Sequence, residues 1–166
     1  MKQLALSLIL LSVFTHCYSQ KKDPSAAILK NIQQIPVFNI HIAPDSIAFT
    51  NDQLQKDKPF VLIFFNPDCD HCQKETKELL AYKEELKEIQ IVMVSALPYK
   101  MIKDFYAEYN IVSMPNIKMG QDATYALGTK YKPGKFPAIF VYDTSGTLAK
   151  VFAGNAGAPA IIEATK

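Results

Sequence analysis

The sequence predicts an α/β domain built on a central mixed β-sheet flanked by helices, and three observations carry that reading. Phe60 to Phe65 is an unbroken apolar run without alternation, the pattern of a strand covered on both faces. Strand-like and helix-like stretches then take turns along the chain, as in domains whose helices pack on a sheet. Finally, Ala138 to Asp143 and Thr147 to Phe152 are short β-rich runs joined by Thr144-Ser145-Gly146, a hairpin that makes part of the sheet antiparallel.

Taken in order, the first 19 residues carry one lysine, an apolar core from Leu4 to Phe14, and small or polar residues after it. That core is too short to span a bilayer and suits a secretory signal, with cleavage expected after Ser19. Export to an oxidising compartment, the periplasm, follows from this, and removal of Cys17 leaves Cys69 and Cys72 as the mature chain's cysteines. A rival reading makes Cys17 the lipid-attachment site of a membrane-anchored lipoprotein, against which stands the poorly fitting His16 before it. Residues 20–34 form a polar lead-in with a short helix around Ala26 to Ile32, expected to be loosely held. Residues 35–166 are read as one domain.

That domain opens on Pro36 to Ile42, which alternates loosely with strand period. Ser46 to Phe49 is its hairpin partner across Ala43-Pro44-Asp45, so the two form an N-terminal β extension. His41 within it reads as an ordinary surface histidine. Thr50 to Lys58 is a polar turn leading into the central strand. Beyond the central unit, Ile89 to Ala96 is β-rich, and Leu97 to Tyr109 has helical spacing with Pro98 in an allowed first turn. Pro115 to Met119 reads as a short strand, Gln121 to Tyr131 as a helix, and Ala158 to Thr165 as a closing helix.

Composition narrows the function classes. The 166 residues are 49% hydrophobic, ample for one core, and the net charge of +2 gives no electrostatic case for nucleic acid. All 18 basic residues are lysines, so there is no arginine fork for bidentate capture of phosphate or carboxylate. A monomer is expected.

The chemistry gathers where the apolar strand ends. Asn66 and Pro67 stop it, Asp68 is a favourable N-cap type, and Cys72, Thr76, Leu79, Leu80 and Leu86 then recur at helical spacing. One helix is expected from there to Leu86, with Cys69 in its first turn and Cys72 on its inward stripe. First-turn N–H groups lack intrahelical partners and, with the macrodipole, favour a negative charge such as a thiolate, the reactive form of cysteine. Between the sulfurs, a protonated His71 would support that charge and Asp70 would oppose it. C-x-x-C in a β–α setting points to a redox pair. Two other readings stay open at this point: a metal-binding site using Cys69, Cys72 and His71, short of the four ligands zinc wants, and an inert disulfide closing too small a loop to stabilise much.

The segments PVFNI, FVLIFFNPDCDHC and KFPAIFVYDTSGTL, in that order, resemble the exported TlpA/ResA-like, or redoxin, branch of the thioredoxin-fold proteins over roughly Ile35 to Lys166. The resemblance implies a thioredoxin-like fold and an exported thiol–disulfide oxidoreductase, more in keeping with a reductase. Its nucleophile would be Cys69, its resolving thiol Cys72, and its reversible disulfide Cys69–Cys72, with no cofactor. It further implies a cis Pro137 beside the pair, with the backbone of Phe136 meeting the bound peptide. The implied partners are protein thiols and disulfides, and a membrane-borne thiol protein as electron donor. Three positions depart from the family's pattern: Asp68 replaces the usual aromatic, no acid lies within Phe60 to Phe65, and His71 stands where the more oxidising members carry His. The rival function classes are a metallochaperone and a non-catalytic interaction module. A peroxidase lacks its T-x-x-C context.

Overall fold

The computed structural model describes residues 29–166. The expected leader, Cys17 and residues 20–28 of the lead-in lie outside the described residues. Seven strands form one mixed sheet: β1 (Asn39–Ile42), β2 (Ile47–Thr50), β3 (Phe60–Phe64), β4 (Gln90–Ser95), β5 (Ile117–Gln121), β6 (Ala138–Tyr142) and β7 (Leu148–Ala153), in the spatial order β2-β1-β5-β4-β3-β6-β7. The β5-β4-β3 core is parallel, with Leu62 opposite Val92, and both flanks are antiparallel. Among the described residues the sheet is flanked by the helices α1 (Asp70–Ala81), α2 (Lys83–Leu86), α3 (Tyr99–Glu108), α4 (Ala126–Tyr131) and α5 (Ala158–Ala164).

The unbroken apolar run becomes the central strand because both its faces are covered. Val61, Ile63 and Phe65 pack with Cys72 and Leu79 of α1, Ile102 and Phe105 of α3, and Ile161 of α5. Phe60, Leu62 and Phe64 pack on the other side with Leu127 and Tyr131 of α4 and with Ile32, Phe38 and Phe49 from the N-terminal part. Each fully buried side chain of this kind contributes roughly 1.5–3 kcal/mol, so the strand carrying both sulfurs' helix is anchored from above and below. That anchoring is what allows a loop at its end to hold precise geometry.

Several boundaries differ from expectation, each for a visible reason. The N-cap of α1 is Cys69, not Asp68, because Asp68 N–H turns back to Asn66 Oδ1 at 2.8 Å. The helix breaks at Tyr82, so Leu86 belongs to the separate turn of α2. The expected helix from Gln121 starts only at Ala126: Gln121 continues β5, and the buried Asp122 carboxylate accepts the N–H groups of Ala126 and Gly128, both at 2.9 Å. Within the lead-in, residues 29–31 are helical. The expectation of a loosely held lead-in fails for its last residues. Ile32 is fully buried and its carbonyl accepts the Tyr142 hydroxyl at 2.9 Å, while Leu148 N–H and Ile35 N–H bond across to Gln33 and Gly146. Among the described residues no helix is long and apolar enough to cross a membrane.

Candidate active site

The end of β3 holds both sulfurs through a single residue, Asn66. Its side-chain oxygen takes the N–H of Asp68, its carbonyl takes the N–H of Cys69 at 3.1 Å, and its own N–H points at Cys72 Sγ at 3.5 Å. The sequence marks Asn66 only as a strand stop, so this role was missed. Cys69, as N-cap, has an extended backbone and its carbonyl accepts Gln73 N–H at 3.0 Å. Its side chain makes no capping hydrogen bond. The two cysteines are free and differ in exposure: Cys69 is half-buried, Cys72 buried.

Burial is the main reason the Cys72 thiol is pushed up from 9.0 to about 12; the Asn66 N–H opposes that, whereas the Cys69 sulfur and the negative charge of Glu75 add to it. Cys72 is therefore a thiol at neutral pH, and any reaction through it must first move its proton. The accessible sulfur, Cys69, sits 3.8 Å from the carbonyl oxygen of Phe136, and the Phe136–Pro137 peptide is cis. Pro137 opens onto β6, and its carbonyl accepts Gly154 N–H at 2.8 Å, which ties this loop to β7. Phe136 itself is exposed.

Glu75 is the feature the sequence reading passed over. It lies one turn beyond Cys72 on the inward stripe, only 1% exposed, where a carboxylate needs hydrogen-bond donors. The β7–α5 loop supplies three: Asn155 Nδ2 at 3.1 Å, Ala156 N–H at 2.9 Å and Gly157 N–H at 3.1 Å. Gly157 has φ +80°, a left-handed backbone that favours glycine where the loop turns its N–H onto Glu75. A buried acid thus stands on the helix, three residues after Cys72, and not on β3.

His71 is exposed, and its Nδ1 lies 2.9 Å from Asn155 Oδ1, while Asn155 Nδ2 donates to the His71 carbonyl at 2.7 Å. Because both hydrogens of that amide face acceptors, Asn155 Oδ1 accepts and His71 Nδ1 donates. His71 is thereby turned toward the loop that holds Glu75. Asp70 is exposed and opens α1. Among the described residues no group of three or more His, Cys, Asp or Glu side chains is arranged to hold a metal, so Cys69, Cys72 and His71 do not converge as ligands.

No curated protein matches this chain. Solved structures share the fold: a secreted Mycobacterium tuberculosis disulfide oxidoreductase homologous to DsbE (22% identity, 78% of this chain and 87% of that one, TM-score 0.60). StoA from Bacillus subtilis (18%, 79% and 97%, 0.62) and the exposed lipoprotein thioredoxin Etrx1 of Streptococcus pneumoniae (20%, 77% and 96%, 0.60) share it too. The family model described as a thioredoxin-like domain matches residues 50–165, which takes in the central strand, both cysteines, the cis-proline loop and the Glu75 pocket. On that match over most of its length, the chain belongs to the thioredoxin-like domain family.

Proposed function

We propose that this protein is a thiol–disulfide oxidoreductase that exchanges disulfides with protein partners through Cys69 and Cys72. The observation that carries the reading is the contrast between the sulfurs: an accessible one at a helix start beside a cis-proline loop, and a buried, protonated one three residues on, next to a buried carboxylate. In the reductive direction Cys69 thiolate attacks one sulfur of the partner's disulfide. A Cys69–partner disulfide forms and the partner's other sulfur leaves as a thiolate, which takes a proton from water. Cys72 then gives its proton to Glu75, directly or through water, and attacks Cys69 Sγ. The Cys69–Cys72 disulfide closes and the second partner sulfur leaves, to be protonated in turn. Two electrons pass to the partner, and a thiol protein must return them.

The reductive direction, a membrane-borne donor and a monomeric state are part of the same proposal, as is export by a leader cleaved after Ser19, with lipidation at Cys17 as the alternative. The secreted and lipoprotein character named for two of the structural neighbours supports export. Pro137 and Phe136 shape the groove where the partner docks, and His71 and Asp70 tune the Cys69 charge from either side of neutrality. The test is reduction of a protein disulfide by the mature chain, beside Cys72→Ser. Turnover by the wild type and a trapped mixed disulfide through Cys69 in the variant are expected; absence of both would sink the proposal.

A further inference from the structure

Between Asn66 and Phe136 opens an apolar cleft of about 120 Å³, bounded also by Phe65, Leu97, Tyr125 and Gly128. It is continuous with the exchange site at two points. Asn66, which also lines it, donates to Cys72 Sγ, and the carbonyl of Phe136 sits against Cys69 Sγ. A partner chain that presents a cysteine to Cys69 must pass Phe136. Since an extended chain advances about 3.3 Å per residue, the side chain one or two positions from that cysteine arrives at the cleft.

Tyr125 forms part of this wall in a way its packing alone does not require. It is 51% exposed, yet its backbone is left-handed at φ +56°, a conformation disfavoured for a residue with a side chain. Its ring lies over Gly128, where any Cβ would overlap it. Asp122, nearly fully buried, fixes the turn: its carbonyl accepts Tyr125 N–H at 3.0 Å and its carboxylate accepts the N–H groups of Ala126 and Gly128. A left-handed backbone, a glycine without a side chain and a buried carboxylate together hold one exposed aromatic ring in place. A ring held in that way loses little freedom when something packs on it.

The buried polar side-chain groups of the cleft are already occupied. The Asp122 oxygens are taken as above, Ser95 Oγ accepts Leu97 N–H at 3.3 Å, and no buried side-chain polar atom among the described residues lacks a partner. The cleft therefore makes no hydrogen-bond demand on what enters it, and a polar occupant would lose its water contacts without replacement. We propose that Tyr125 and Phe136 form a specificity pocket for an apolar side chain of the leucine, methionine or phenylalanine class, one or two residues from the target cysteine of a protein partner. The proposal rests on the exchange reading and names the substrate class for it.

The test uses the mature, reduced protein and oxidised peptides that differ only at the residue flanking the cysteine, leucine against glycine, with kcat/KM from stopped-flow. Partial burial of the leucine predicts a preference of about tenfold for the leucine peptide. Tyr125→Gly, which suits the left-handed backbone and so preserves the turn, should bring that ratio below about twofold, as should Phe136→Ala. Equal rates for the two peptides with the wild type, or a ratio that survives Tyr125→Gly, would overturn the pocket. Wild-type exchange with bis(2-hydroxyethyl) disulfide, which has no side chain to seat, keeps the two readings apart. If that exchange proceeds while peptide preference is absent, only the pocket is lost; if it fails, the exchange reading falls and the pocket with it.

Discussion

Substituting Glu75 by glutamine separates two opposed roles for its charge. The carboxylate is one of the causes that raise the Cys72 thiol to about 12. At that value only about one molecule in 10⁵ carries the thiolate at pH 7. If Glu75 only repels a Cys72 thiolate, its neutralisation eases ionisation and speeds the second step, by at most about tenfold for one nearby charge. If it receives the proton, its loss removes a general base, a contribution of typically 10²–10⁴-fold. Setting the smallest such loss against the electrostatic gain predicts a second step at least about tenfold slower in Glu75→Gln. An amide oxygen at the Oε2 position can still accept the N–H groups of Ala156 and Gly157, which both reach that oxygen, so the loop has the means to stay in place. Stoichiometric dithiobisnitrobenzoate reads both steps by absorbance: attack by Cys69 releases the first chromogenic thiol and closure by Cys72 the second. The account predicts a nearly unchanged first release and a slowed second one. A second release that is unchanged or faster would refute Glu75 as proton acceptor.

Other expectations follow from the same geometry. Asn155→Ala removes one of the three donors to Glu75 and the acceptor of His71, each such bond being worth about 1 kcal/mol, and should slow the second release by about fivefold. In the reduced protein the folded-state Cys72 thiol titrates near 12 against 9.0 for an ordinary thiol, so the unfolded chain ionises first. The stability that this group contributes is therefore complete below pH 9 and lost between pH 9 and 12. Tyr131 and Tyr142 shift upward too, so the contribution is isolated as the difference in denaturant midpoints between wild type and Cys72→Ala across that range. A difference that does not change with pH would contradict it. Leu79→Ala empties a fully buried site under α1 and should cost about 2–5 kcal/mol in urea denaturation. Tyr142→Phe breaks the buried chain from Tyr131 through Tyr142 to the Ile32 carbonyl and should cost about 1–3 kcal/mol, loosening residues 29–35 in hydrogen exchange.

The legible parts of this protein were those written in contiguous patterns. Phe60–Phe64 is visible as a doubly covered strand because burial on both sides leaves no room for alternation, and the closing β6–β7 hairpin because its turn residues interrupt two β-rich runs. The two cysteines follow β3 and its Asn66-Pro67 stop, which by itself places both sulfurs at a strand–helix junction. Glu75 is absent from the apolar stripe read in the sequence because it is charged, although its spacing of three from Cys72 and four from Leu79 puts it on that stripe. A charged residue at such a position is the signal that could have found it. Its donors lie some 80 positions later, in a loop whose sequence Gly154-Asn155-Ala156-Gly157 reads only as a turn. Tyr125 was invisible for a related reason: helix propensity through Ala126 to Tyr131 suggested an earlier start, and only the Asp122 carboxylate, capping from outside, shows why the helix waits.

The central claim is that Cys69 and Cys72 interconvert between two thiols and one disulfide as a unit. Equilibrating the mature protein in graded dithiol/disulfide buffers, quenching with an alkylating agent and weighing the intact chain tests it directly. The account predicts a single two-electron transition, about 30 mV per tenfold change in ratio, between a doubly alkylated form and one that takes up no label. Two sulfurs that alkylate independently, or a mass that does not respond to the buffer, would contradict it.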